Sequence, residues 1–313
     1  MSQSSPIMNT AQGNQGHVSL FQAYCDLTKI KLSLLVVLST AVAFVMASEL
    51  GIDWLKFFWT VCGTTCCAAA AATLNQLFER RRDGSMDRTK SRPIPSGRIS
   101  AIHAFIVGVL LTYVGVSMLA LGANMAAAGI ALATILLYIL VYTPLKPRTT
   151  FNTFVGAVVG ALPPLIGWVA VTGTLGRGAW LLAGILFMWQ IPHFMALAWK
   201  YKDEYEHGGF TMLPSVDPTG ELTGRVSVIA SLCLVPLCLL LTIVDTTGLF
   251  FAIGGPLLSL WMILASIRFW RAPNNATAMK MFLASIIYLP LLFVLMLISR
   301  QHVVWVDVTM VAG

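Results

Sequence analysis

Asn75, Glu79, Asp83 and Asp87 recur at every fourth residue, where a long apolar run gives way to the basic tract 88–98. On one continuing helix, positions four apart drift by only about 40° per step, so these oxygen-bearing side chains share a face at the helix end. Acidic groups at the edge of an apolar segment are costly unless they are paired, hydrated or bound to a cation. One or two carboxylates completed by substrate phosphates are what Mg²⁺ takes, with hard oxygen ligands throughout. Arg88, Lys90, Arg92 and Arg98 follow at once and suit phosphate oxygens. The spacing predicts a metal and phosphate site in outline, built on Asn75, Glu79, Asp83 and Asp87. The competing reading is a set of solvated acid and base partners at a helix end, and Arg80, Arg81 and Arg82 fit that reading as topology anchors.

These side chains need helices to position them, and the composition supplies that context. The chain has 313 residues, of which 57% are hydrophobic and only 11% charged, with a mean hydropathy of +0.80. That excludes an ordinary soluble domain. Nine apolar runs are long enough to cross a bilayer, at 32–48, 54–78, 101–121, 124–142, 151–173, 178–199, 226–244, 249–267 and 280–299. The predicted fold class is an all-α integral membrane protein, a bundle of nine transmembrane helices. With the N-terminus in the cytoplasm, every Lys and Arg except Lys56, Arg177 and Arg300 falls on the cytoplasmic side, which leaves the C-terminus periplasmic. Topology therefore accounts for the net charge of +7 without a nucleic-acid partner, although a basic face also attracts anionic lipid and anionic substrate.

Residues 1–17 are polar and lack Lys and Arg, unlike a signal or transit peptide. The expected organisation is a disordered cytoplasmic tail over 1–25, one membrane domain over 26–300 and a short tail over 301–313, in a bacterial inner (plasma) membrane. Cys62, Cys66 and Cys67 share one apolar run without nearby His or carboxylate partners, so they read as packing residues rather than soft-metal ligands.

Two connections, 79–100 and 200–225, are long and charged on the cytoplasmic side of an otherwise economical bundle, which is where binding and catalysis usually sit. The second holds Lys200, Tyr201, Lys202, Asp203, Glu204, Tyr205, Glu206 and His207. Alone it reads as a solvated amphipathic segment. Facing the first loop, its acids could hold metal on the other side of one diphosphate, as two-metal sites do. The segment from Tyr142 to Arg148 adds Lys146, either a topology anchor or a grip on phosphate oxygens. His193, preceded by Gln190 and Pro192 in an apolar run, is either satisfied by a neighbouring hydroxyl or acts as a haem-iron ligand or proton-transfer group. Gly156, Gly160 and Gly167 give the fifth run a small-residue face. Pro163 and Pro164 predict a kink that widens a cavity at mid-depth.

The stretches N-Q-L-F-E-R-R-R-D-G-S-M-D-R-T-K-S-R-P (from Asn75), Y-T-P-L-K-P-R-T-T-F-N-T (from Tyr142), G-A-L-P-P-L-I-G-W (from Gly160) and Q-I-P-H-F-M-A-L-A-W-K-Y-K-D-E-Y (from Gln190) resemble the UbiA superfamily of intramembrane prenyltransferases, and within it the haem-farnesylating branch. The resemblance runs from about Asp26 to Arg300 and implies a UbiA-like nine-helix fold opening toward the cytoplasm. It implies transfer of the farnesyl group of farnesyl diphosphate to the 2-vinyl group of haem B, with water addition, haem B being substrate rather than cofactor. In that reading Mg²⁺ is held by Glu79, Asp83, Asp87 and Asp203, with Asn75 and Glu204 completing the catalytic set. Arg88, Lys90, Arg92, Tyr142, Lys146, His193, Lys200, Lys202 and Tyr205 contact substrate. Glu79 stands where the superfamily pattern has Asp, and the second cluster lacks a clean Asp pair four apart. Haem A synthase, or the terminal oxidase under assembly, is a further expected partner. Two other readings compete: a prenyltransferase for a quinone ring precursor, and a transporter, which also uses polar residues and broken helices. The one-sided charge and the lack of mid-membrane acids weigh against transport.

Overall fold

Apolar stretches long enough to cross a bilayer can satisfy their main-chain polar groups only internally, so they fold as helices. The computed structural model describes residues 19–49 and 51–300, so most of the tail expected over 1–25 and all of that over 301–313 lie outside the described residues. In chain order the elements are α1 (Leu20–Thr28), α2 (Ile30–Ala47), α3 (Trp54–Asp83), α4 (Ala101–Gly122), α5 (Met125–Leu136), a π-helical turn (Leu137–Tyr142) running into α6 (Thr143–Leu145), α7 (Asn152–Ala161), α8 (Pro163–Thr172), α9 (Arg177–Lys200), α10 (Lys202–His207), α11 (Leu213–Val216), α12 (Glu221–Ile243), α13 (Leu249–Arg271) and α14 (Asn275–Ile298). Among the described residues eight helical runs are long and apolar enough to span, and the bent pair α1 and α2 raises the number to nine. The nine expected spans agree with this.

The N-terminal boundary needs correction. Residues from Leu20 onward are helical, not tail, because Ser19 caps α1 by accepting from the Gln22 amide. Ala23 and Leu27 are buried with Ile94, Ile99 and Ala104, and Gln76 Nε2 donates to the Asp26 and Leu27 carbonyls at 2.8 Å each. The helix thus braces the first charged loop against α3.

Among the described residues the two largest apolar cores divide the bundle. One joins α9, α12, α13 and α14 with part of α2; the other joins α3, α4, α5 and α8. The fifth span breaks where expected, between Ala161 and Pro163. Its second half lies so close to α2 that Thr40 Oγ1 reaches the Pro163 carbonyl at 3.0 Å, and a methyl group on Gly167 would collide with the Thr40 main chain. That close approach requires glycine.

Gly167→Ala is expected to lower thermal stability in detergent by about 1–3 kcal/mol, through overpacking against main chain that cannot give way. Gly129→Ala on α5, where an added methyl meets nothing within 4 Å, is expected to leave stability unchanged or raise it by about 0.5–1 kcal/mol. Thermal midpoints of the two variants check this, since the same chemical change should act with opposite sign.

Candidate active site

One face of α3 is buried at the end where it should meet water: Asn75 and Gln76 are fully covered, and Glu79 and Asp83 are 4% and 1% exposed. Each acid is covered because a cation comes to it. Lys146 Nζ, just past the end of α6, donates to Glu79 Oε1 at 2.9 Å, and Arg92 Nη1 donates to Asp83 Oδ2 at 2.6 Å. Removing one partner of such a buried pair leaves an uncompensated charge, at about 3–5 kcal/mol. Burial alone would lower the Lys146 pKa; the Glu79 carboxylate outweighs it and holds Lys146 well above the usual lysine value. Asn75 is fixed from both sides, Oδ1 accepting from Lys29 Nζ at 3.2 Å and Nδ2 donating to Thr143 Oγ1 at 3.1 Å.

The helix does not continue to Asp87. It ends at Asp83, with Gly84 as C-cap, and Asp87 lies on the turn beyond, 87% exposed and paired with Lys90 at 2.6 Å. The expected four-residue face is therefore three residues long. The loop is instead wound back onto the helix end: Thr89 Oγ1 donates to the Asp83 carbonyl at 2.8 Å, which brings Arg92 over the Asp83 carboxylate. Lys90 stays at the surface.

The second charged loop does meet the first. Arg88 Nη2 donates to Tyr205 Oη at 3.2 Å, its guanidinium lies 4.5 Å from the centre of the Tyr201 ring, and Arg82 lies 5.9 Å from that of Phe210. The third connection joins them: the Thr211 amide donates to the Lys146 carbonyl at 2.9 Å, and Asn152 Nδ2 donates to the Thr211 carbonyl at 2.8 Å. Within α10, Asp203 is exposed, whereas Glu204 is partly covered and its buried Oε2 accepts no hydrogen bond. This departs from the expectation that Asp203 binds metal; the inward acid is Glu204. Lys200 and Lys202 pack over the Tyr201 and Trp199 rings at 5.1 and 5.0 Å, not over the α3 carboxylates.

Beneath the ionic layer lies a cavity of about 270 Å³, lined mainly by small and apolar side chains, among them Ala71, Ala131, Ile135, Val159 and Ile166, with Lys29 and Tyr142 also on its wall. The π-helical turn stacks Tyr138 on Tyr142, with ring centroids 5.2 Å apart, and both rings line the cavity. Gly156 lets the Tyr142 ring lie against α7, since a methyl group there would stand 2.8 Å from a ring carbon. His193 is directed elsewhere. Its Nδ1 lies 2.8 Å from Ser285 Oγ, and its ring stacks between Trp189 and Phe282. The next residue, Phe194, lines the cavity instead. The residues to which sequence reasoning gave no role at the site are Lys29, Thr143 and Tyr138, whereas Gln190, grouped there with His193, lies on the cavity wall with Lys29 and Tyr138.

Oxygen donors surround this place, and Asp83 Oδ1 is buried and accepts no hydrogen bond from any described residue. No three His, Cys, Asp or Glu side chains converge as a ready metal cluster among the described residues. The residues therefore fit a hard divalent cation whose coordination is completed by phosphate oxygens, and not a cation held by protein alone.

Residues 36–286 match the UbiA prenyltransferase family. The chain is 39% identical over 286 residues to a protoheme IX farnesyltransferase of Solibacter usitatus, covering 88% of this chain and 98% of that protein. Among solved structures, a digeranylgeranylglyceryl phosphate synthase superposes with a TM-score of 0.75 at 20% identity, covering 89% of this chain and 98% of the other. A UbiA homologue of Archaeoglobus fulgidus bound to DMAPP and Mg²⁺ superposes with a TM-score of 0.67 at 14% identity, covering 88% and 99%. The family match over most of the chain, together with the near full-length relative, shows that the chain belongs to the UbiA prenyltransferase family.

Proposed function

We propose that this protein transfers the farnesyl group of farnesyl diphosphate to the 2-vinyl group of haem B, with addition of water, to give haem O. The observation that carries the reading is the pair of buried carboxylates, Glu79 and Asp83, each matched to a cation above an apolar cavity lined by tyrosines. The relative named for that reaction, alike over almost its whole length, supports the acceptor. A quinone ring acceptor is the alternative within the same chemistry.

Glu79 and Asp83, with Glu204 from the second loop and Asn75 assisting, would hold Mg²⁺. When bound, the ion neutralises diphosphate oxygens and makes the diphosphate a better leaving group. Lys146, Arg92 and Arg88 bind and orient the diphosphate, and their charge stabilises the negative charge that develops as the C1–O bond breaks. The electron pair of that bond leaves with the diphosphate. The allylic cation faces the Tyr138 and Tyr142 rings, whose π-faces stabilise positive charge, while the apolar wall excludes water. The vinyl terminus then forms the new carbon–carbon bond. Water adds to the cation left beside the macrocycle and loses one proton, which balances the reaction. The membrane setting follows from the helices; the cytoplasmic N-terminus, the periplasmic C-terminus and association with haem A synthase or an oxidase under assembly are part of this proposal.

Purified protein incubated with haem B, farnesyl diphosphate and Mg²⁺ is expected to yield a haem heavier by one farnesyl group and one hydroxyl in mass spectrometry; farnesylation of a hydroxybenzoate with no haem product would favour the quinone reading. Asp83→Asn should lower kcat by about 10²–10³ with the helical circular dichroism intact, and near-normal turnover in a folded variant would sink the assigned role. In the second loop, Glu204→Gln should cost more than about tenfold and Asp203→Asn less than about threefold. The reverse order would restore Asp203 as the ligand.

A further inference from the structure

A second, larger hollow of about 520 Å³ lies between α13 and α14, lined by Trp261, Ala265, Arg268, Arg271, Lys280, Leu283 and Ile287 among others. Its composition changes along its length. Arg268 and Arg271 sit in the last turn of α13, and Lys280 lies near the start of α14. Below Lys280 the same face of α14 carries Leu283, Ala284 and Ile287, so about 10 Å of helix leads from the cation to aliphatic wall. Trp199 at the end of α9 packs edge-on against Phe269 at 5.3 Å, which puts these cations at the same end of the bundle as the substrate loops. Residues 246–300 contain no Asp or Glu, and none of the three cations forms an ion pair with a described residue. The first amides of α14 are already capped by Asn274, so an anion here would be held by side chains. Leu283 and Ile287 are 50% and 47% exposed; the hollow opens outward, toward lipid.

We propose that this groove binds an anionic glycerophospholipid, its phosphate among Arg268, Arg271 and Lys280 and one acyl chain along Leu283 and Ile287. A soluble anion would use only the cationic end. A neutral lipid would use only the apolar one. The graded lining fits a molecule with both, and basic pockets between membrane helices hold lipid headgroups in this way.

The test is native mass spectrometry of the full-length protein, delipidated in detergent and then given phosphatidylglycerol, phosphatidylcholine or inorganic phosphate. One phosphatidylglycerol should be retained where phosphatidylcholine is stripped, and inorganic phosphate in excess should not displace it. The R268Q/R271Q/K280Q variant should bind it about a hundredfold more weakly, at roughly fivefold per cation. Ile287→Trp keeps all three charges while filling the apolar end, and it should weaken binding about tenfold; it decides the matter should the triple variant fail to fold. Both variants should retain farnesyl transfer, which separates this site from the catalytic one. Equal retention of phosphatidylcholine, unchanged binding in Ile287→Trp, or displacement of the lipid by inorganic phosphate or haem B would overturn the proposal.

Discussion

Carboxylates taken out of water at the end of an apolar helix bundle must be neutralised where they stand, and the organisation of this protein's active end follows from that requirement. Glu79 and Asp83 project from α3 into a place where water is scarce. Left alone, each would be a buried charge without a partner, at a cost of about 3–5 kcal/mol. Lys146 and Arg92 prevent this, and they come from different connections. The ionic pairs therefore also fasten the 84–100 loop and the α6 end to α3. Buried pairs of this kind are weak sources of net stability but strong constraints on geometry.

The same pairs explain how such a site can wait for substrate. In this structure each acid is paired with a cation of the chain itself, while Asp83 Oδ1 keeps no partner among the described residues. On the proposed function, a metal–diphosphate complex would bring positive charge for the acids and negative charge for Lys146 and Arg92, so both sets of groups would exchange partners without either being left buried and alone. Asn75 is held by Lys29 and Thr143 and Arg88 by Tyr205, which fixes the surrounding donors in place. Below them the π-helical turn and the kink at Pro163 open the bundle just enough to leave an apolar cavity. A straight, evenly packed bundle would have no room for an isoprenoid.

Much of this was legible in the residues. Run length and polarity located the spans because the bilayer demands about 20 apolar residues per helix, and the four-residue recurrence identified the buried face of α3. The recurrence misled at Asp87, where Asp83-Gly84-Ser85 is a helix-stop signal that ends the face one turn earlier. In the second loop, Asp203 and Glu204 are adjacent, and only the three-dimensional path of α10 tells which one turns inward. Lys29 was hidden for a different reason: it reads as one more basic anchor, and its partner Asn75 lies 46 positions away. It also adopts a left-handed backbone conformation, with φ of 49°, which no local pattern announces for lysine. His193 shows the limit of residue type as evidence, since Ser285 satisfies it from a helix ninety-two positions along the chain.

The exchange of partners at Glu79 and Asp83 is tested most directly by calorimetric titration of the detergent-purified protein with a non-hydrolysable farnesyl diphosphate analogue, with and without Mg²⁺. The predicted result is mutual dependence: the analogue binds tightly only when Mg²⁺ is present, and Mg²⁺ binds stoichiometrically only when the analogue is present. Equal affinity for the analogue after exhaustive chelation, or a stoichiometric Mg²⁺ site in the protein alone, would contradict it.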